Sequence, residues 1–323
     1  PFDEDKLISG SFASIDLLSE LISFKGLGGN FIYKDDNLDI YIDTPYLNLD
    51  SKGLFDEVLN IYDFKSQLSF NSQEDYIQVT RSPFELSINN EIVNGSLSFD
   101  ASPQNSLGDV SIFLDSNSFS KDNVFILFPN TPYLRPTKNY LQNLIQCGKI
   151  SNPNILLRLP IDRKYEFSSS SFSFIGSSND LCVDLNGFDI NQISIDFAVQ
   201  DFLFEGQVKE ADFYGSNIQS NLTIYKEKNY FFELAGSAEG PFLSLLRFFN
   251  MSEVNSENSS GLHQTKFLYK SPWESINTIL HAKSDLIIQS EIKNGSFSFP
   301  NFDFLFSNIF SNINYDSEVG IKD

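Results

Sequence analysis

The residues of this chain that could carry acid–base chemistry are few and lie far apart. His263 and His281 are its two histidines. His263 lies in a Ser- and Asn-rich segment, and His281 is expected to end a short helix, where a cation is commonly found. Neither stands in a motif that would supply a nucleophile or an orienting carboxylate. The sequence therefore favours structural roles for both histidines and predicts no enzymatic activity.

Two other motifs resemble functional sites but lack the residues that would complete them. Residues 35–39 (DDNLD) begin like a calcium-binding loop, yet the glycine and the later glutamate of such a loop are absent, so a solvated turn is predicted. Residues 118–121 (SFSK) match the Ser-x-x-Lys pattern of some acyl-transfer enzymes without its companion motifs. We expect no metal and no cofactor.

The chain contains two cysteines, Cys147 and Cys182, which are too few for a disulfide framework. A disulfide between them could form in an oxidising compartment, and the sequence supports two buried free thiols at least as well. Because Cys147 follows a predicted helix and Cys182 lies in a predicted strand, we predict no bridge that the fold requires.

The composition describes a folded, acidic chain that is rich in aromatic residues. Hydrophobic residues make up 41% and charged residues 20%, with 33 Phe, 13 Tyr and a formal net charge of −21. Such a chain is too apolar to be disordered. It offers no cluster of Lys and Arg to a nucleic acid, and anionic lipid headgroups would repel it. Lipid tails held in a neutral groove remain compatible with this charge.

Alternation of apolar and polar residues dominates the chain and predicts about 16 β-strands. Each strand would present its apolar side chains on one face, with hairpin turns expected at Asn94-Gly95, Asn186-Gly187 and Asn294-Gly295. The apolar residues of these strands are the candidate lining of a ligand-binding face: Leu38, Ile40, Ile42, Phe84, Leu86, Ile88, Leu97, Phe99, Leu181, Val183, Leu185, Ile193, Ile195, Phe197, Val199, Leu222, Ile224, Leu286, Ile288, Phe297 and Phe299.

Three short helices are predicted between the strands. The first covers 136–147, because it opens with a proline and ends before a glycine. The second covers 241–250, and the third starts at the capping box 271–274 (SPWE) and runs to 282. These helices are too few to cover so many strands, and an apolar sheet face must be buried against something. The sequence therefore predicts an all-β fold in which a long, curled, antiparallel-rich sheet forms an apolar groove, with a β-sandwich as the alternative.

One internal similarity stands out. Residues 86–99 (LSINNEIVNGSLSF) and 286–299 (LIIQSEIKNGSFSF) match without a gap. Each copy reads as an alternating strand, an Asn-Gly turn and a second alternating strand, so we predict two equivalent hairpins. A stacked repeat would explain the match, and independent convergence on a favourable hairpin sequence is the alternative.

Four further segments carry a family resemblance. Residues 26–70 combine a Gly-containing strand, an alternating strand and an LF link, and residues 133–159 combine a short helix, a glycine and a strand. Residues 238–250 form a helical link, and residues 294–321 alternate towards a Tyr-Asp pair and a glycine. In this order the segments resemble the AsmA-like superfamily, the family of YhdP and TamB.

The resemblance implies a curled sheet with an apolar inner groove in the periplasm of a Gram-negative bacterium, as an internal part of a longer protein anchored in the inner membrane. It implies a non-enzymatic bridge that conducts phospholipids between the inner and outer membranes, with the candidate residues lining one continuous apolar channel for the acyl chains. Three sections are expected, 1–129, 130–270 and 271–323, the last beginning a further repeat. The alternative is a structural or adhesive β-repeat of the cell envelope.

Overall fold

Antiparallel β-strands make up most of the protein. The computed structural model describes residues 7–18, 23–34, 37–50, 55, 57–73, 76–102, 107–128, 135–161, 171–185, 188–201, 203–226, 230–249, 251, 254, 258–272, 285–299, 304–316 and 320–322. Within these residues lie 19 strands and three short helices. The predicted all-β fold is confirmed.

The elements follow one another along the chain as a succession of strands, interrupted twice by helices. They are β1 (Ile8–Leu18), β2 (Ser23–Lys34), β3 (Asn37–Asp50), β4 (Leu59–Gln73), β5 (Tyr76–Ile88), β6 (Glu91–Ser102), β7 (Leu107–Asp115), β8 (Ser118–Ser120), α1 (Lys121–Leu127), α2 (Arg135–Leu144), β9 (Ile145–Cys147), β10 (Lys149–Ile161), β11 (Ser171–Leu185), β12 (Phe188–Gln200), β13 (Leu203–Phe213), β14 (Ser216–Lys226), β15 (Tyr230–Pro241), α3 (Phe242–Phe248), β16 (Ser260–Pro272), β17 (Asp285–Ser298), β18 (Leu305–Asp316) and β19 (Gly320–Lys322).

The chain divides into two compact units. Unit 1 comprises residues 1–142 and 150–176, and unit 2 comprises residues 143–149 and 177–323. The three sections expected from the sequence remain a prediction.

In unit 1 each strand from β1 to β7 pairs antiparallel with the next along the chain, and β10 adds to the far side of β7. The β5–β6 connection shows why short links suffice. Asn89 and Asn90 have φ values of 48° and 67°, the left-handed conformation that a two-residue type I′ hairpin turn requires and that Asn tolerates.

Unit 2 repeats this arrangement. Strands β12 to β19 pair antiparallel in chain order, and the short strand β9 pairs with β11. The pairing of β15 with β16 is uninterrupted from Phe231↔Pro272 to Pro241↔Leu262. Uninterrupted registers keep alternate side chains on the same face across neighbouring strands.

Two of the predicted helices are present, and a third is new. The predicted helix 241–250 is α3, and the predicted helix 136–147 is α2, which ends earlier because residues 145–147 form strand β9. The predicted helix 271–282 does not open as expected, since Ser271 and Pro272 are the last residues of β16. The rest of that segment lies outside the described residues. Helix α1 was not predicted, because seven residues show little helical periodicity.

Two of the three Asn-Gly pairs do not mark hairpin turns, so the prediction was wrong for these two. Asn94-Gly95 lies within β6, whose turn is at Asn89-Asn90 instead. Asn294-Gly295 lies within β17, where Asn294 has a φ of 52° and the pairing with β18 shifts register. Asn294 thus forms a β-bulge, a second use of the left-handed conformation that Asn accepts. Asn186-Gly187 lies outside the described residues.

The matched segments 86–99 and 286–299 are therefore not equivalent hairpins. The first contains the β5–β6 turn, whereas residues 286–298 form one strand. Leu86 and Leu286 are both buried, but Ile92 is exposed where Ile292 is buried. The sequence similarity of the two segments reflects the same alternation of apolar residues, whereas their positions in the fold differ.

Cys147 and Cys182 form a disulfide. Strand β9 pairs with β11 so that the two cysteines are direct cross-strand partners, with 5.0 Å between their Cα atoms. The sequence left open whether the two cysteines are bridged, because the pairing of β9 with β11 is not visible in it; that the fold does not require the bridge remains a prediction. Both cysteines belong to unit 2.

Replacement of Cys147 and Cys182 by Ser is expected to lower the free energy of unfolding of unit 2 by about 2–4 kcal/mol. A bridge across a sequence separation of 35 restricts the unfolded chain, which is the main source of its stabilisation. Urea denaturation of the double variant, compared with the oxidised protein, measures the effect. Equal midpoints for the two proteins would show that the bridge contributes nothing to stability.

Candidate functional site

In unit 1 the candidate residues lie on one face of the sheet. The register places Ile42 of β3 beside Ser66, Ser66 beside Phe84, and Phe84 beside Gly95 of β6. Alternation along each strand adds the remaining candidates to this face: Leu38, Ile40, Leu86, Ile88, Leu97 and Phe99. We call it the inner face of unit 1.

The inner face of unit 1 is closed at one end and partly open beside Ile40, Phe84 and Leu97, while Val79 further along β5 is buried again. Leu86 and Ile88 are buried, whereas Ile40, Phe84 and Leu97 are half-buried. The other face of the same strands is polar, with Asp39, Tyr41 and Asp43 alternating in β3. An apolar face that water partly reaches, behind a polar outer face, can hold apolar ligands.

In both units, aromatic rings occupy the space that a side chain would take at certain glycines. Gly10 and Phe31 are cross-strand partners, and a Cβ added at Gly10 would come within 2.7 Å of the Phe31 ring. In unit 2 the ring of Phe204 would lie 2.8 Å from a Cβ at Gly206. Glycine at these positions therefore allows large rings to lie flat against the sheet and to replace the missing side chain.

Helix α1 is fixed at the closed end of unit 1 by Glu91. The Glu91 carboxylate accepts hydrogen bonds from the Ser120 backbone N–H, at 3.0 Å, and from the Asn123 side-chain amide. The carboxylate thereby serves as the N-terminal cap of α1, whose own cap residue Ser120 makes no side-chain cap. At the other end the buried ammonium of Lys138 donates to the Phe128 carbonyl at 3.1 Å.

Unit 2 also gathers its candidate residues on one face. Phe197 lies beside Gly206, Gly206 beside Leu222, and the row continues through Leu234 and Tyr269 to Leu286. Two parallel rows bring the remaining candidates Ile195, Val199, Ile224 and Ile288 to the same face. We call it the inner face of unit 2.

Many residues of the inner face of unit 2 are buried, whereas Phe204, Leu222 and Leu234 are half-buried. Ile288 is 1% exposed and Phe197 is 9% exposed, and Ile193, Ile195 and Leu286 are also buried. The sequence predicts that these side chains line an open channel, and this remains a prediction. The polar outer face is solvated and includes an ion pair between Asp196 and Lys209 at 2.6 Å.

The other predicted residues of unit 2 lie near its helices and its disulfide. Phe297 contacts Phe242 of α3 with 6.1 Å between ring centroids, and Phe299 belongs to the same aromatic group. On β11, Leu181 is buried and Val183 is half-buried. The side chain of Leu185 lies outside the described residues.

Helix α3 covers one end of the inner face of unit 2. Its buried residues Phe242, Leu245 and Leu246 pack with Ile292 of β17 and with Val254. We call these five residues the α3 cluster. Ile292 lies on the same face of β17 as Ile288. The α3 cluster therefore extends the apolar inner face and forms its last part.

A buried chain of hydroxyl groups around His263 lies beside the α3 cluster. His263 Nε2 is 2.9 Å from Ser244 Oγ of α3 and 3.0 Å from Ser216 Oγ of β14. His263 Nδ1 is 2.7 Å from Thr265 Oγ1, which in turn is 2.8 Å from Ser290 Oγ. We call these five residues the His263 chain.

The His263 chain was not predicted from the sequence, in which no partner for His263 could be recognised. Ser216 and Ser244 are each 1% exposed and His263 is 3% exposed. Burial lowers the pKa of His263 below 6.5, and the charge of Glu239 partly opposes this. A serine in contact with an imidazole can act as a nucleophile when a substrate reaches it. In this buried arrangement the His263 chain satisfies polar groups and ties α3 to the sheet.

Further apolar residues extend both inner faces beyond those predicted. In unit 1, Ile112 of β7 lies beside Leu97 and Leu157, and in unit 2, Phe267 of β16 lies beside Ile288. Ile112 could have been predicted from the sequence, because Val110, Ile112 and Leu114 alternate with polar or exposed neighbours. Phe267 belongs to a strand that also carries two lysines and a histidine, and its alternation is weaker.

The described residues of the remaining motifs lie in ordinary strands and at the start of a helix. Residues 37–39 begin β3, and Asp39 accepts a hydrogen bond from Ser69 on the outer face. Residues 118–121 span β8 and the start of α1. His281 and residues 35–36 lie outside the described part of the chain. Among the described residues no three His, Cys, Asp or Glu side chains are grouped to hold a metal ion.

No family model, curated protein or solved structure matches this chain. Of the helices that the structure describes, none combines the length and the hydrophobicity needed to span a bilayer. The assignment to the AsmA-like superfamily remains a prediction from the sequence.

Proposed function

We propose that this chain is a non-enzymatic segment that holds phospholipid acyl chains along its apolar inner faces and passes them between the membranes of a Gram-negative envelope. The observation that carries the proposal is the inner face of unit 1. Its apolar side chains come from successive strands and share one face behind a polar outer face, and most of them are half-buried: Leu38, Ile40, Ile42, Phe84, Leu97 and Phe99.

The energetics favour a continuous face over a single tight site. About 30 methylene groups in two acyl chains, at about 0.8 kcal/mol each, give a cost on the order of 20 kcal/mol for exposing a phospholipid's tails to water. A wall of Ile, Leu and Phe removes most of this cost at every position along it. Such a wall needs no nucleophile, cofactor or metal.

A photo-crosslinking experiment tests the proposal. A photoreactive amino acid at position 40 replaces Ile40 on the inner face, and one at position 41 replaces Tyr41 on the outer face of the same strand. The purified proteins are irradiated with phosphatidylethanolamine–phosphatidylglycerol vesicles, and adducts are counted by mass spectrometry. We expect phospholipid adducts at position 40 and at least about tenfold fewer at position 41, because neighbouring residues of a strand face opposite sides. Equal labelling at the two positions would contradict the proposal.

A second candidate function has its own support. Much of the inner face of unit 2 is buried, as the 1% exposure of Ile288 indicates, and this suits a structural or adhesive β-repeat whose core is filled by its own side chains. Crosslinkers in place of Phe197 and of Asp196 extend the experiment to unit 2. Adducts at position 197 but not at 196 favour lipid holding in both units. The absence of lipid adducts at both position 40 and position 197 favours the structural repeat.

A further inference from the structure

The two main attachments of helix α3 to unit 2 differ in their response to pH. The α3 cluster is apolar and has no titratable member. The His263 chain, in contrast, contains an imidazole that contacts Ser244 of the helix and Ser216 of the sheet at once. We infer that α3 is a lid on the inner face of unit 2 and that protonation of His263 releases it.

The geometry concentrates the polar attachment of the helix on one group. Ser244 also donates to the Pro241 carbonyl at 2.7 Å, which lies at the start of the helix itself. Its remaining polar contacts are with Ser216 and His263, so the imidazole and Ser216 hold the helix hydroxyl against the sheet. A cation–π contact of Arg247 with Tyr214, at 4.4 Å, adds a link at the last turn that does not titrate near neutral pH.

The charged groups near His263 leave its positive form poorly compensated. They are Glu239 on β15, Lys266 on β16, Glu291 and Lys293 on β17, and Arg247 on α3. Glu239 favours the imidazolium from a distance, but the larger effect is burial, which lowers the pKa. Glu291 pairs with Lys293 at 3.2 Å. No carboxylate among the described residues contacts the ring directly, so a buried imidazolium would rely on hydroxyl oxygens alone.

The direction of the pH effect follows from this comparison. With α3 closed the pKa of His263 lies below 6.5, and with α3 open the ring meets water and its pKa returns towards 6.5. The open state therefore binds a proton more readily than the closed state. Closure is strongest above pH 6.5 and weakens as the pH falls below it, by up to about tenfold per pH unit until the pKa of the closed state is reached.

Hydrogen–deuterium exchange of residues 242–249 tests the inference, in the full chain and without lipid. After correction for the intrinsic rate, exchange in the wild-type protein should be constant from pH 8.0 to 7.0 and rise about tenfold per unit below 6.5. The segment 219–224 of β14 is the internal control and should not respond. A flat wild-type profile for 242–249 would overturn the inference, whatever the variants do.

Three variants separate the imidazole from the rest of the attachment. His263→Gln keeps hydrogen-bonding capacity without titrating, so its exchange should be independent of pH. Ser244→Ala should exchange faster than the wild type at every pH, because the helix loses its contact with the ring. Glu239→Gln removes the charge that favours the imidazolium and should extend the rise to lower pH. A His263→Gln profile that keeps the wild-type slope would assign the effect to another group and overturn the inference.

The lid is useful to the protein only if the inner face carries lipid, so this inference rests on the proposed function. The two can nevertheless fail separately. A pH-dependent lid without lipid adducts at positions 40 and 197 would leave the lid standing and remove the transport role. Lipid adducts together with a pH-independent exchange profile would support the transport role and overturn the lid.

Discussion

Replacement of Ile288 by Asp is expected to lower the free energy of unfolding of unit 2 by at least about 4 kcal/mol. Ile288 is 1% exposed and lies on the inner face between Phe267 and Tyr315. The substitution removes a buried aliphatic side chain, worth about 2–5 kcal/mol when truncated. It also places a carboxyl group where no partner is available, at a further cost of several kcal/mol.

Ile287 supplies the matched control for this prediction. It is the neighbouring residue in β17, it is also isoleucine, and it is 38% exposed on the outer face. Ile287→Asp should cost no more than about 1 kcal/mol, as expected for an exposed position. Urea denaturation followed by circular dichroism measures both variants, with attention to separate transitions of the two units. Equal losses for the two variants would show that the two faces of β17 have been assigned wrongly.

Replacement of Phe119 by Ala is expected to destabilise unit 1 by about 3–5 kcal/mol. Phe119 lies in β8 immediately before α1, and its side chain is 0% exposed. Removing a fully buried aromatic ring forfeits its burial and leaves a cavity that the surrounding side chains only partly fill. The variant should therefore loosen the closed end of the inner face, where Ile88 and Val93 are also buried.

Phe113 provides the corresponding control in the same unit. It lies in β7 with 38% of its surface exposed, so Phe113→Ala should cost about 1 kcal/mol or less. Thermal denaturation of the two variants distinguishes them, because the larger loss corresponds to a fall of about 6 °C or more in the midpoint of a domain of this size. A Phe119→Ala variant as stable as Phe113→Ala would mean that the end of unit 1 is not closed by packing around β8.

The strands and their faces could be predicted because strand alternation is a local property. Ile193, Ile195, Phe197 and Val199 alternate with polar or small residues, and all four side chains are buried in β12. Amphipathic alternation decides which side of a strand is apolar without reference to any other strand. The same reasoning located α3, whose apolar side forms its cluster.

The connections were predicted less well, because a turn and a bulge use the same residues. Asn89, Asn90 and Asn294 all adopt the left-handed conformation, yet the first two make a hairpin turn and the third makes a bulge within a strand. Local preference allows both outcomes. The pairing of β17 with β18 on both sides of Asn294 selects the bulge.

The sequence by itself determined the all-β class, the apolar side of each strand and the absence of a recognisable catalytic motif, since these depend on residue type and on spacings of a few residues. Only the tertiary structure decided which distant residues meet. The contact of His263 with Ser244 and Ser216, the bond between Cys147 and Cys182, and the capping of α1 by Glu91 all join separate elements. Each depends on strand register and on the path of the chain between elements, and neither is encoded in the local alternation that identifies a strand.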